Sequence, residues 1–295
     1  MKSLKNDNIR GIILISVGFF LWSIVDTIQK FLTEEFHPLQ IVWFRCVGLF
    51  ICMLIYYLFF DKKLLQSESK GLNIIRGLLV VLSSLFFVTC LKFVPLADAI
   101  SVTFVAPFFV TIIGFFFLNE KVGIYRFSAI LVGFLGTLII IRPGLGIMHP
   151  TIILAIFTAL FFAIRQVISR YLIQKDNVFT IMFYTSFSAS LITTVPLFFY
   201  WKNPTNYIQF ILLFLLSFLA SIAEFFMIKS LENTETIVVA PIHYTLILWA
   251  TLWGFIVFGD FPDFYTFLGA FIVTAAGIYV IRREYLIGKT NLNQK

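Results

Sequence analysis

Ten apolar segments, each close to helix length, follow one another along the chain with short polar connections between them. Four of them contain long runs without a single Asp, Glu, Lys or Arg. About 20 apolar residues in a helix span the ~30 Å hydrocarbon core of a bilayer, and in lipid the backbone polar groups must bond within the segment. The pattern therefore predicts an all-α polytopic membrane protein with ten transmembrane helices. The segments are 11–32, 39–60, 72–93, 97–118, 124–141, 152–173, 178–200, 207–229, 236–258 and 264–281, and the charge-free runs are 99–119, 177–201, 236–259 and 264–281.

Composition supports the membrane assignment. The 295 residues are 60% hydrophobic and only 13% charged, whereas a soluble domain carries roughly 25% charged residues. Too few charges remain to cover a water-exposed surface. The first apolar segment is too long for a signal peptide and lacks a small-residue cleavage site, which favours a first membrane helix.

The basic residues predict the orientation. If the N-terminus is cytoplasmic, sixteen of the 22 Lys and Arg residues fall on the cytoplasmic side, four fall outside, and Arg45 and Arg165 lie within helices. This asymmetry follows the positive-inside rule and predicts an inner-membrane protein with both termini, 1–10 and 284–295, in the cytoplasm. Because the basic residues are scattered over short connections, the net charge of +7 does not indicate a nucleic-acid partner. The cytoplasmic set is Lys2, Lys5, Arg10, Lys62, Lys63, Lys70, Arg76, Lys121, Arg126, Arg170, Lys175, Lys229, Arg282, Arg283, Lys289 and Lys295, and the outer set is Lys30, Lys92, Arg142 and Lys202.

The chain also contains an internal repeat. Residues 97–141 and 236–282 each hold an uncharged helix that ends in an acid, then a tight turn and a glycine-spaced helix. A shift of 140 residues aligns Phe104 with Tyr244, Thr111 with Thr251, Gly114 with Gly254 and Glu120 with Asp260. We predict two five-helix units, 11–144 and 150–283, whose odd helix number gives them opposite orientations. Such inverted repeats are typical of carriers that bind a substrate near the midplane.

Several motifs resemble the EamA-domain branch of the drug/metabolite transporter superfamily over nearly the whole chain. They are Pro95-Leu-Ala-Asp-Ala, Phe104-Val-Ala-Pro107, Leu118-Asn-Glu120-Lys, Gly133-Phe-Leu-Gly136, Arg142-Pro-Gly144, and the stretch from Tyr244 through Trp249 and Gly254 to Asp260. The resemblance implies two inverted five-helix repeats around a cavity lined mainly by helices 1, 3, 4, 6, 8 and 9. It implies transport of a small metabolite without ATP hydrolysis, with Glu120 and Asp260 as helix-end caps. The substrate, a coupling proton or counter-substrate, and a monomeric or homodimeric state all stay open.

Four charges within apolar segments are candidates for the substrate site: Asp26, Arg45, Arg165 and Glu224. An unpaired charge at mid-membrane costs roughly 2.5–3.5 kcal/mol, so such residues pair, reach an interface or face a wet cavity. Arg165 lies mid-helix, and its planar guanidinium suits a carboxylate or phosphate; a structural pair with Glu224 or Asp26 is the alternative.

Asp26 shares a helix face with Trp22, Gln29 and Lys30, which predicts an inward polar stripe. A local Asp26–Lys30 pair is the alternative. Glu224 is the candidate for a coupling carboxylate, although it could also reach the cytoplasmic interface near Lys229.

The remaining candidates are aromatic or only just inside the membrane. His243, Tyr244 and Trp249 follow Pro241 and could stack on a planar or cationic solute, or simply pack. Arg45 lies close enough to a helix end to reach the surface and is assigned a structural role. The predicted substrate site therefore comprises Arg165, Asp26, Tyr244, His243, Trp22 and Trp249.

These features predict a secondary active transporter of an amino acid, S-adenosylmethionine or a similar zwitterionic or planar solute, acting by alternating access. A passive facilitator or channel is the alternative, although no repeated ring of charges is visible. HExxH, GxSxG and P-loop motifs are absent, so we expect no enzyme activity and no cofactor. With three His, two of them in outer loops, and no CxxC, we expect no metal site.

Overall fold

The computed structural model describes residues 2–60, 62–106, 108–110, 112–113, 124–142, 149–233 and 245–292, and this part of the chain contains no strand. Ten α-helices with defined bounds lie in these ranges, one in each predicted segment, and residues 106, 108–110 and 112–113 are also helical. We number them in chain order: α1 Lys2–Leu32, α2 Pro38–Phe59, α3 Lys70–Leu91, α4 Leu96–Thr103, α5 Ile124–Ile141, α6 Ile153–Leu172, α7 Val178–Leu197, α8 Tyr207–Asn233, α9 Leu246–Trp253 and α10 Phe264–Leu292. A π-helical turn, Gly254–Phe258, extends α9.

Some helix ends differ from the predicted ones. Helices α1 and α10 continue beyond the predicted segments, to Lys2 and Leu292. The predicted segment 97–118 is interrupted, since α4 ends at Thr103 and residues 104–105 form a turn. Pro107 follows in the sequence, and a proline cannot donate a helical hydrogen bond to the residue four positions earlier, which is Thr103.

Among the described residues, six helices are long and apolar enough to cross a membrane, and four shorter apolar helices accompany them. Large apolar side chains cover the outside of the bundle; Phe214, Leu248 and Phe271 are each about 70% exposed. An apolar surface of this extent is expected where the surrounding solvent is lipid rather than water.

The two halves of the bundle make corresponding helix contacts. If α1–α5 are matched in order with α6–α10, so that α1 corresponds to α6 and α2 to α7, the principal contacts of one half have counterparts in the other. The contact of α1 with α8 corresponds to that of α6 with α3, and the contact of α2 with α8 corresponds to that of α7 with α3. Helices α2 and α7 pack on each other, as do α5 and α10, and α4 and α9. The two five-helix units are therefore related by an approximate twofold exchange.

Glycines allow the closest approaches between the units. A Cβ on Gly77 would meet the side chain of Ser188 and lie 2.8 Å from the carbonyl oxygen of Thr185, and one on Gly269 would lie 2.6 Å from the carbonyl oxygen of Gly136. Small residues are the usual device for bringing membrane helices together. The contact at Gly77 holds α3 against α7 and so carries the neighbouring Arg76 into the bundle.

Candidate functional site

A cavity of about 730 Å³, counting open space at its mouth, lies between the two units. Its wall comes from α1, α2, α3 and α4 of the first unit and from α6, α8 and α9 of the second. Most of the wall is apolar, and the charged groups in it are Asp26, Arg45 and Arg165. Helix α2, which the family resemblance does not include in the lining, contributes Arg45.

A smaller cavity adjoins the first and shares Trp22, Arg45 and Arg165 with it. Glu224 and Thr185 contribute to its wall. The shared side chains therefore stand between two spaces inside the protein.

Glu224 lies between two guanidinium groups. Arg76 Nη2 donates to Glu224 Oε1 at 2.7 Å, and Arg165 Nη1 lies 3.9 Å from the same oxygen. Arg76 also donates to Ser169 Oγ at 2.8 Å and Thr185 Oγ1 at 2.9 Å. This charged triad, Arg76–Glu224–Arg165, joins α3 of the first unit to α6 and α8 of the second.

The triad corrects the assignment of Arg76 to the cytoplasmic surface. Its side chain is only 2% exposed although it lies six residues into α3, a distance of roughly 9 Å along a helix. A partner 148 residues away gives no local signal in the sequence. The pairing of Arg165 with Glu224, which the sequence offered as an alternative to substrate binding, is present as the longer of the two ion pairs in the triad.

Arg45 is buried and borders both cavities. Its guanidinium lies over the Trp22 ring, 5.3 Å from the centroid, and Nη2 donates to Ser84 Oγ. Cation–π contact and this hydrogen bond hold the group inside the bundle. The prediction that the Arg45 side chain reaches the membrane surface is therefore wrong.

Asp26 borders the main cavity close to Arg45. Gln29 Nε2 donates to its Oδ1 at 3.0 Å, and Arg45 lies within electrostatic range. None of the ion pairs between described residues involves Asp26. The local Asp26–Lys30 pair, which was the alternative prediction, does not form, because Lys30 contacts other groups.

Lys30 joins three elements at the end of the bundle where α1 terminates. Its Nζ donates to the carbonyl oxygen of Val94 at 2.9 Å, lies 3.6 Å from Asp260 Oδ2, and lies 5.1 Å from the Phe258 ring centroid. We call this the Lys30 contact. It connects α1 with the α3–α4 connection and with the residues that follow α9.

A second ion pair lies beyond the Lys30 contact. Arg142 Nη2 is 2.5 Å from Asp263 Oδ2, and Asp263 caps α10 by accepting from the Thr266 N–H. Partial burial acts to raise the pKa of Asp263, but hydrogen bonds from Thr266 and Arg142 outweigh it and hold the pKa below its ordinary value.

The other predicted site residues are placed differently. Trp22 lines both cavities. The Trp249 ring packs edge-on against Phe20, with centroids 4.9 Å apart, and neither cavity includes it in its wall. His243 and Tyr244 lie outside the described residues. Within the described ranges, no group of three or more His, Cys, Asp or Glu is placed to hold a metal ion.

Two segments of the chain, 9–142 and 149–283, match the family described as EamA-like transporter family. The S-adenosylmethionine uptake transporter of Rickettsia conorii is 27% identical and covers 96% of each chain. The pseudopaline exporter CntI of Pseudomonas aeruginosa is 24% identical over 93% of this chain and 96% of its own. The riboflavin transporter of Vibrio cholerae is 24% identical over 96% of each. A crystal structure superimposes with a TM-score of 0.67 over 92% of this chain and 98% of its own, and at 15% identity this likeness concerns the fold alone.

Proposed function

The chain belongs to the EamA-like transporter family, and we propose that it is a secondary active transporter of a zwitterionic metabolite with a planar group, of the S-adenosylmethionine type. The family and its relatives are multi-pass membrane transporters and not enzymes. The observation that carries the substrate class is the pair of opposite charges, Asp26 and Arg165, in one cavity between the two units.

The proposed ligand matches the charged and aromatic side chains in the wall of this cavity. S-adenosylmethionine carries an ammonium, a carboxylate, a sulfonium and an adenine. Arg165 suits the carboxylate and Asp26 the ammonium, because a charge-assisted hydrogen bond forms with each. The sulfonium has no N–H or O–H to donate, and Asp26 would attract it by charge alone. The Phe19, Phe87 and Phe162 side chains line the same space and offer apolar faces for a planar ring. Relatives named as S-adenosylmethionine uptake transporters support this choice.

We further propose that the protein lies in the inner membrane with both termini in the cytoplasm. The excess of Lys and Arg on one side supports this, and it persists when Arg76 is removed from the cytoplasmic set. The end of the bundle that carries the Lys30 contact would then face outward.

A ligand panel tests the proposed function. S-adenosylmethionine at about 100 times its dissociation constant should stabilise the purified protein by roughly 2.7 kcal/mol through mass action, visible as a rise in the unfolding temperature. Vesicles containing the protein should take up labelled S-adenosylmethionine saturably. If no adenosyl compound or amino acid shifts the unfolding temperature, the substrate class is wrong. Flux that does not saturate would indicate a passive channel instead.

The Lys30 contact gives a test of alternating access. Replacing Lys30 with Met should open this end of the bundle and speed labelling of a cysteine at Thr103, in the cavity wall, by an impermeant maleimide added outside. We expect a rise of about three- to tenfold, because a partly exposed ion pair contributes up to about 1 kcal/mol and its charged hydrogen bond adds to this. Cys46, Cys52 and Cys90 are replaced by Ala beforehand.

The matched control is Lys202→Met. Lys202 forms an exposed ion pair with Glu35 at 3.0 Å at the same end of the bundle, and its loss should leave the labelling rate unchanged. Equal rates in the Lys30→Met protein and its parent would mean that the Lys30 contact does not hold this end closed.

A further inference from the structure

Five ionisable side chains are buried together at the centre of the described bundle. Arg45, Arg76 and Arg165 are basic, and Asp26 and Glu224 are acidic, which leaves one positive charge in excess. Buried charges without compensation are costly. This group of side chains therefore attracts a negatively charged group of a ligand, such as a carboxylate.

The ion pairs are distributed unevenly within the group. Glu224 is shared by Arg76 and Arg165. None of the ion pairs between described residues involves Arg45, whose fixed contacts are the Trp22 ring and the Ser84 hydroxyl. The guanidinium with the least anionic compensation is thus Arg45 and not Arg165.

Arg45 and Asp26 also border one cavity without forming an ion pair within 4 Å. A direct contact would cancel both charges and leave no polar site. A separation of this kind suits a group that carries a cation and an anion on neighbouring atoms, because the group can bridge the two side chains.

We propose that the α-amino-acid head group of the substrate binds between Asp26 and Arg45, with Arg45 as the residue that selects for the carboxylate. The ammonium donates to Asp26, and the carboxylate accepts from Arg45. Arg165 approaches the same carboxylate from the second unit, so that the head group connects the two halves of the protein. Trp22 and Ser84 are positioning residues that hold the Arg45 guanidinium toward the cavity. This assignment rests on the proposed transport of an amino-acid-bearing solute.

Two pairs of ligands, matched except for the carboxylate, test the assignment. One pair is S-adenosylmethionine and its decarboxylated form, and the other is methionine and 3-(methylthio)propylamine. The purified protein should bind the carboxylate-bearing member of a pair at least about thirtyfold more tightly, as expected for a buried charged contact. In Arg45→Met most of this preference should be lost, because only Arg165 still faces the carboxylate, while the affinity for the amine changes little.

Two further variants complete the experiment. Arg45→Lys keeps the charge but loses the planar fork, so it should recover part of the preference and remain usable if Arg45→Met does not fold. Arg170→Met removes an exposed arginine at the end of α6 and should retain the full preference. Intact discrimination in Arg45→Met, or an equal loss of affinity for both members of a pair, would overturn the assignment of Arg45 alone. Failure of the unaltered protein to bind any of the four ligands would overturn the proposed function as well.

Discussion

Replacing Glu224 with Gln should destabilise the folded protein by about 3–5 kcal/mol, the usual cost of leaving a buried charge without its partner. The substitution keeps the shape of the side chain and removes only its charge. Arg76 and Arg165 would then lie close together without an anion between them. Thermal unfolding of the purified protein, followed by tryptophan fluorescence, measures the loss.

The structure offers a matched control for this substitution. Glu35 forms an ion pair with Lys202 in which both side chains are about half exposed, and an exposed pair contributes at most about 1 kcal/mol. Glu35→Gln should therefore change the unfolding temperature little. If Glu35→Gln and Glu224→Gln lower it equally, the triad does not stabilise the bundle in the way proposed here.

A double substitution separates charge from packing. Arg76→Met combined with Glu224→Gln removes the strongest pair together, and its effect should be clearly smaller than the sum of the two single effects. Non-additivity of this kind is the signature of residues that interact directly. Strict additivity would mean that Arg76 and Glu224 contribute independently.

The positions of the helices could be predicted from the sequence because lipid allows few alternatives. A charge-free run of helix length has no other way to satisfy its backbone. The 140-residue repeat is also visible in the structure, where α1 ends at Leu32 and α6 at Leu172, and α2 begins at Pro38 and α7 at Val178. The polar side chains of His37 and Asn177 cap the second helix of each unit.

The partners of the charges could not be predicted in the same way. Hydropathy and helical spacing give the depth of a side chain and the face it occupies, but not the helix that packs against that face. Arg76 looked like a surface residue because it lies near a helix end, and only the approach of α7 at Gly77 carries it inward. Arg45 looked like a residue able to reach the surface for the same reason.

Replacing Arg165 with Met should separate transport from stability. Saturable uptake should fall by at least about thirtyfold, as expected when one partner of a buried charged contact is removed. Stability should change much less than in Glu224→Gln, because Glu224 keeps its hydrogen bond from Arg76 at 2.7 Å. Uptake into vesicles and thermal unfolding, measured on the same preparation, give the two quantities.

The contrast follows from where the two residues lie in the triad. Arg165 borders both cavities, and its contact with Glu224 at 3.9 Å is longer than that of Arg76 at 2.7 Å, so the Arg165 guanidinium can also meet a ligand. Glu224 compensates two guanidinium groups, so its removal affects the fold first. Arg170→Met serves as the control for loss of a basic side chain on the same helix. Unchanged uptake in Arg165→Met would exclude Arg165 from the substrate site, and a stability loss as large as that of Glu224→Gln would make it a structural partner of Glu224 instead.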